Sequence, residues 1–396
     1  MNAEPQRLKS PSQAYDEPWS GADRWHAQGG RVVGLFGEYA PRELVLAAGM
    51  LPVRLRPGRL LRAGATDLGD RVSARSRHVP DGLRGELSAE SLELLSALLG
   101  QELDWIDSLL IGRDTESHTK LFYVIRELAE DPEYKSLIPP IAFSDMLRLP
   151  SRTSAVYNRT RLRELAVVLG EWSAGEIADE ALSAAIMAEV HLAEQLRELD
   201  SLRAEGRVAG SRAVLAARAA TVLSQADAAA AVGACLEHAR GLVPAAVSPR
   251  VFVTGSEPEP AVLVGLEAAG LALVGDDHGW HHAVTHERAG DPGLDWLADR
   301  YQLSPVGAAR AGLDRAVHIA GRARAVGADC ILQLIAPDDL ASGWELAELK
   351  NLVPTLPVVS VQVDADQGDE TVREIAWRLR SELEHRVSES EGAAHG

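Results

Sequence analysis

Two regions of this chain repeat one cadence, a short apolar run followed by a turn, an amphipathic stretch and another apolar run. Residues 31–36 are such a run; Pro41 then stands where a first helical turn tolerates it, apolar residues follow at helical spacing, and Gly49 marks a stop before a second run at 50–55. Two strands joined through a helix pair in parallel, because a crossover of that length cannot close a hairpin. The cadence continues with strands expected at 107–112 and 138–143 around a helix at 120–130, and this region closes near Pro150. It resumes with strands at 250–256, 271–274, 329–335 and 357–363, a helix from about Gly343 and a last helix over 370–386. Between the two regions, residues 157–242 carry no strand signal. Ala, Leu, Glu and Arg dominate there, interrupted by Gly170, Gly206, Gly210 and Gly233, which predicts three or four helices.

The expected fold class is therefore α/β, with two Rossmann-like parallel-sheet domains joined by a helical segment. The boundaries read as an N-terminal arm (1–30), a first α/β domain (31–155), a helical connector (156–247), a second α/β domain (248–387) and a disordered tail (388–396). A length of 396 residues agrees with this, at roughly 150 residues per domain.

Charge and cysteine content narrow the function. Forty basic against fifty-eight acidic residues give a net charge of −18, which opposes nucleic acid or an anionic membrane as a partner. No stretch reaches the roughly 18 apolar residues of a membrane helix, and residues 1–20 lack an apolar signal-peptide core, so a cytoplasmic location is expected. The two cysteines, Cys235 and Cys330, lie far apart and outside any C-x-x-C spacing, which argues against a disulfide framework. By themselves they cannot supply the ligands of an iron–sulfur cluster.

In parallel α/β sheets ligands bind beyond the carboxyl ends of the strands. Three loops at such ends are rich in ligand-type side chains: residues 113–118 (Arg-Asp-Thr-Glu-Ser-His), 276–282 (Asp-Asp-His-Gly-Trp-His-His) and 336–339 (Ala-Pro-Asp-Asp). They would converge if the two sheets faced each other. Gly255-Ser256, after a strand, could receive a phosphate, although Glu257 and Glu259 oppose an anion there. No G-x-G-x-x-G fingerprint is present, which lowers the expectation of a nicotinamide enzyme.

Residues 34–49, Gly-Leu-Phe-Gly-Glu-Tyr-Ala-Pro-Arg-Glu-Leu-Val-Leu-Ala-Ala-Gly, resemble the N-terminal signature of the 2-hydroxyacyl-CoA dehydratase and benzoyl-CoA reductase family, a Tyr-x-Pro-x-Glu-Leu core before a helix ending Ala-Ala-Gly. Further similarities follow in order at Tyr157-Asn-Arg159, residues 177–203, Val253-Thr-Gly-Ser256, Leu297-Ala-Asp-Arg-Tyr301 and residues 356–364. The resemblance implies dimers of homologous subunits and [4Fe–4S] clusters held by cysteines from three loops. It also implies an ATP-hydrolysing activator protein that delivers one electron, and an acyl-CoA substrate reduced to a ketyl radical or a dearomatised ring. A coenzyme A ester is itself anionic, so this acidic chain would need a local basic or backbone N–H pocket to bind it.

This chain departs from the family pattern at all three loops. Thr115 stands where the family's Thr-Cys-Asp-Ser has its cysteine, His278 follows the acidic pair Asp276-Asp277 in place of a second, and Ala336 replaces the third, in Cys-Asp-Pro. A standard thiolate-bound [4Fe–4S] cluster is accordingly not expected. The leading reading is a cluster-free lyase or reductase subunit that pairs with a homologous subunit as a heterodimer, or forms a homodimer, and works with the activator. In it Glu38 and His278 are the catalytic candidates, Glu38 as a general base, and Tyr39, Ser256 and Trp280 contact substrate. The plain alternative for Glu38 is a solvated turn residue.

A second reading replaces the cluster by a single Zn or Fe. His278, His281, His282, Asp277, Glu116 and His118 are harder ligands than thiolates and suit such an ion, and His278 with His281 or His282 would share one face of a helical turn. The metal would then serve a lyase or hydrolase by activating water or polarising a thioester. A third reading is an interaction subunit without catalysis, in which the histidines form an ordinary solvated turn.

Overall fold

Each of the expected apolar runs becomes a strand, and the strands assemble into two sheets of identical topology. The computed structural model describes residues 11–56, 58, 60, 78–83, 85–245, 249–278, 290–303, 313–336, 339–363 and 369–394. The first sheet contains β1 (Val32–Phe36), β2 (Leu51–Arg54), β3 (Ser108–Gly112) and β4 (Ile141–Ser144), all parallel, in the order β2-β1-β3-β4. The second contains β5 (Arg250–Gly255), β6 (Ala272–Asp276), β7 (Cys330–Ile335) and β8 (Val358–Gln362), also parallel, in the order β6-β5-β7-β8. Every residue of β1 and of β3 is buried, as in strands whose two faces are both covered. The α/β expectation with two parallel sheets is therefore correct.

Contacts divide the chain into two units, Met1–Ala193 with Arg218–Ala231 and Ala283–Ser304, and Glu194–Ala217 with Val232–His282 and Pro305–Gly396. Each unit holds one sheet and its own core. Leu94, Trp105, Leu109, Ile111 and Ile125 sit in the first core, and Phe252, Ile319, Ile331 and Leu349 in the second. Burying one such aliphatic side chain contributes about 1.5–3 kcal/mol, so each core can hold its own sheet together.

Four helices occupy the strandless stretch: Arg152–Ser173, Asp179–Ala204, Gly210–Ala220 and Gln225–Arg240. Arg42 helps fix this helical part within the first unit, donating to the carbonyls of Pro52, Thr221 and Leu223.

Several boundaries differ from expectation for local reasons. The helix expected at 120–130 is Glu116–Glu130, because Thr115 caps it; the one expected from Gly343 is Leu340–Leu352, because Asp339 caps it. Three helices escaped the sequence reading: Ala89–Leu99, Leu294–Leu303 and Leu313–Ala325. The residues before β1 form two short helices, Pro11–Asp16 and Pro18–His26, and the last helix, Asp369–Ala394, runs past its expected end. No helix among the described residues is long and apolar enough to cross a membrane.

Candidate functional site

In a sheet of order 2-1-3-4 the chain leaves the first strand toward one side and later returns on the other, so the loops after the first and third strands part and leave a crevice. In the first unit that crevice lies between the loops after β1 and β3. Gly37, at φ +92°, turns the chain at the end of β1, and a Cβ on it would lie 2.7 Å from an Asp114 oxygen. Gly112 is equally constrained, since its Cβ would lie 2.8 Å from the backbone of Tyr39 and Ala40. These two glycines let Asp114 reach back across the crevice. Its carboxylate accepts the N–H of Glu38 and, at 3.1 Å, the N–H of Tyr39. Burial raises the Asp114 pKa and the nearby Glu38 carboxylate adds to the rise, against the cationic His118 and the two N–H donors.

His118 is buried beneath this loop. Its Nδ1 lies 3.1 Å from the Gly112 carbonyl and its Nε2 2.9 Å from Glu90. Burial alone would lower its pKa, but the hydrogen bond and charge of Glu90, with Asp114 and the Gly112 carbonyl, outweigh it and raise the value to about 9. At neutral pH it is an imidazolium with both N–H groups engaged, which leaves no lone pair for a metal. Glu116, the companion ligand candidate, is exposed and pairs with Lys120 at 3.5 Å. Thr115, at the first former cluster position, uses its hydroxyl to accept the His118 N–H at 3.2 Å and so starts the helix.

The wall of the crevice is aromatic and cationic. Tyr39 is fully buried, with Arg148 stacked 4.8 Å over its ring; Arg148 also donates to the carbonyls of Arg113 and Asp114. Glu38 is half-buried beside them, rather than fully solvated. Arg54, at the carboxyl end of β2, is electrostatically coupled to Glu38, Asp114 and Tyr301. Behind Tyr39, the buried Glu43 accepts from both Arg300 and the Tyr301 hydroxyl, the latter at 2.8 Å. Burial and the Glu43 charge push the Tyr301 pKa well above its ordinary value. The Glu of the Tyr-x-Pro-x-Glu-Leu signature thus meets the Arg-Tyr of a second motif in the same unit.

The second unit closes the matching crevice differently. Gly255, at φ +91°, is required at the end of β5, since a Cβ there would lie 2.0 Å from the Leu334 carbonyl. The Ser256 hydroxyl accepts the Ala336 N–H at 2.8 Å and donates to Asp339 at 2.8 Å. Its proton is already given, so Ser256 pins the third loop instead of offering a donor to a phosphate. Asp339 also accepts from the N–H and hydroxyl of Ser342. At the end of β6 both acids of the pair hold buried arginines, although Asp277 Oδ1 has no hydrogen-bond partner among the described residues. Asp276 pairs with the buried Arg203 at 2.6 Å, and Asp277 with the buried Arg315 at 3.1 Å, which also holds Glu345. His278 is buried against Asp276, Nδ1 to Oδ1 3.4 Å.

Trp280, His281 and His282 lie outside the described residues. Among the described residues no group of three His, Cys, Asp or Glu side chains could hold a metal ion.

The family model for the 2-hydroxyglutaryl-CoA dehydratase D-component matches residues 38–385. The chain belongs to that family. No curated protein matches it. The match covers Glu38, Tyr39, Glu43 and Arg300, and with them the whole crevice of the first unit.

The donor set of this family member does not fit a thiolate-bound cluster. Both cysteines are buried, Cys235 in a helix and Cys330 within β7, where burial and then the Asp329 charge push the thiol up to about 12. Thr115 has committed its hydroxyl to a cap, Asp276 and Asp277 each pair one oxygen with a buried arginine, and Ala336 has no donor side chain. Nothing in this set can replace three thiolates in kind.

Proposed function

We propose that this chain is a subunit of a 2-hydroxyacyl-CoA dehydratase-type complex that carries no thiolate-bound cluster of its own, and that the crevice between the loops after β1 and β3 is its share of an acyl-CoA cleft. One observation carries this reading: the family match runs through residues 38–385 while Thr115 serves as a helix cap and Ala336 as a backbone donor to Ser256. In the crevice, Glu38, half-buried beside Arg54, acts as a general base on the bound acyl group. Tyr39, held by Arg148 and fixed by its own N–H to Asp114, backs the crevice as a rigid, fully buried support. A homologous subunit brings the redox group, an ATP-hydrolysing activator supplies the electron, and the complex works in the cytoplasm.

The test is anaerobic purification of the tagged chain from its own host, with identification of co-purifying chains, elemental analysis and a visible spectrum. The expected result is a homologous cysteine-bearing partner, with iron that stays with the partner when the two are separated. Several irons per chain on this subunit alone would overturn the cluster-free assignment. One zinc or iron per chain would favour a mononuclear site at His278, His281 and His282. A chain with no homologous partner and no acyl-CoA affinity would leave only a non-catalytic interaction role.

A further inference from the structure

The first unit contains a half-buried guanidinium for which the described residues provide no hydrogen-bonded carboxylate. Arg54 ends β2, and its backbone N–H is fixed to the Thr221 carbonyl at 3.1 Å. Among the described residues no hydrogen bond or ion pair reaches its side chain. Three of the buried arginines contrast with it: Arg203 meets Asp276, Arg300 meets Glu43, and Arg315 meets Asp277 and Glu345.

Arg56 follows on the same side of the extended chain and is buried. Burial lowers the Arg54 pKa, and the Arg56 charge lowers it further, while Glu38 and Asp114 pull it back. Packing two cations side by side at a sheet edge costs free energy that a bound anion would offset. Of the two acids that act on it, Asp114 already accepts two backbone N–H groups, and neither is hydrogen-bonded to it among the described residues. A guanidinium presents five donors in a planar fork whose geometry matches carboxylate or phosphate oxygens two at a time. The carboxyl edge of a parallel sheet is also where ligands bind. In a chain of net charge −18, an anionic ligand needs such a local cationic recess.

The geometry points to an oxyanion subsite at the carboxyl edge of the first sheet, in which the Arg54 fork takes a carboxylate or phosphate group of the ligand and Arg56 adds its charge alongside. The subsite deepens the acyl-CoA reading and rests on it for the ligand, since an acyl-CoA carries phosphates and can carry a distal carboxylate. Bound there, the ligand would lie beside Glu38.

The experiment is calorimetric titration of the full-length protein, together with any partner that co-purifies, at low ionic strength with inorganic phosphate, glutarate and coenzyme A. At least one probe should bind, and Arg54→Gln should weaken it at least tenfold. Arg54→Lys, which keeps the charge and loses the fork, should weaken it less. Binding of phosphate and coenzyme A without glutarate assigns the subsite to a phosphate; binding of glutarate alone assigns it to a carboxylate. Failure of all three probes to bind wild-type protein overturns the subsite, as does unchanged affinity in Arg54→Gln. If Arg54→Gln does not fold, undiminished affinity in Arg54→Lys overturns the fork. Anion binding in a chain without a homologous partner would keep the subsite and remove the dehydratase reading; a partner without anion binding would do the reverse.

Discussion

The two switch-point crevices are built on one plan and closed by different chemistry. In each, a glycine near φ +90° ends the first strand and an aspartate from the loop after the third strand reaches back to it. In the first unit Asp114 closes the gap onto backbone N–H groups, above a buried imidazolium and beside Arg54, whose side chain has no hydrogen bond or ion pair among the described residues. In the second unit Asp339 closes it onto a serine hydroxyl, and the neighbouring Arg203 and Arg315 each have carboxylates of their own. The difference teaches where function is to be sought. Over the described residues the buried acids of the second crevice each meet an arginine of their own, although one Asp277 oxygen has no hydrogen-bond partner, whereas the first keeps cationic capacity in reserve next to a half-buried carboxylate.

The largest effects should come from the buried ion pairs. Removing one partner strands the other charge away from water, which costs about 3–5 kcal/mol. Glu43→Ala removes an acceptor shared by Arg300 and Tyr301, and Asp276→Ala removes the closer of two carboxylates from Arg203, leaving Asp200 at 3.7 Å. Both should lower stability in urea by about that amount. Glu43→Ala should also abolish any acyl-CoA binding, because Tyr39 packs directly against Tyr301, whereas Asp276→Ala should leave binding in protein that still folds. Equal loss of binding in both variants would erase the distinction between the crevices.

The glycines give the next contrast. Gly255→Ala drives a Cβ into the Leu334 carbonyl, which is backbone and cannot move aside, in a conformation that L side chains avoid; a loss on the order of 3 kcal/mol is expected. Gly37→Ala meets the same φ penalty, but its obstacle is the Asp114 side chain. It should cost less in stability and act mainly by displacing that carboxylate from the Glu38 and Tyr39 N–H groups. Urea unfolding of the two variants side by side decides the order.

How much of this was legible follows from what each signal depends on. The strands were readable because every one is a short apolar run between turn residues, and the repeated cadence fixed parallel pairing. Cap positions were harder: Thr115 and Asp339 set helix starts three or four residues ahead of the periodic apolar pattern, because one side-chain oxygen on an N–H decides the first turn. Thr115, His278 and Ala336 could be named as altered positions by resemblance, yet what they do instead depends on partners such as His118, Asp276 and Ser256, of which Ser256 lies 80 residues from Ala336 in sequence. Arg54, Arg148 and the pairing of Glu43 with Arg300 left no local signature, since an arginine at a strand end reads as an ordinary solvated residue until its neighbours are in place.

A pH titration separates the crevices by about 3 kcal/mol at most. The His118 pKa is about 9 in the folded protein against roughly 6.5 in an unfolded chain. A raised folded-state value means that its stabilisation is complete below about 6.5 and is lost as the pH rises through about 9. Wild-type stability in urea should therefore fall between pH 6.5 and 9.5. In His118→Gln, already weaker at pH 6, the fall should be shallower. Parallel profiles for the two proteins would show that the imidazolium does not support the loop.

The smallest effect tests the reading of Thr115 as a cap in place of a cluster ligand. Losing a Thr cap costs about 1 kcal/mol, and serine restores the acceptor. Thr115→Ala should lower stability by about that much, Thr115→Ser should stay near wild type, and neither should change iron content. Asp339→Ala, at the matching cap of the second unit, removes the acceptor of Ser342 and of the Ser256 hydroxyl together, so it should cost more than Thr115→Ala. If instead Thr115→Ala left stability unchanged but altered binding of acyl-CoA or of the homologous partner, Thr115 would belong to the working surface of the first crevice, and its hydroxyl would have to be counted with Glu38 and Arg54.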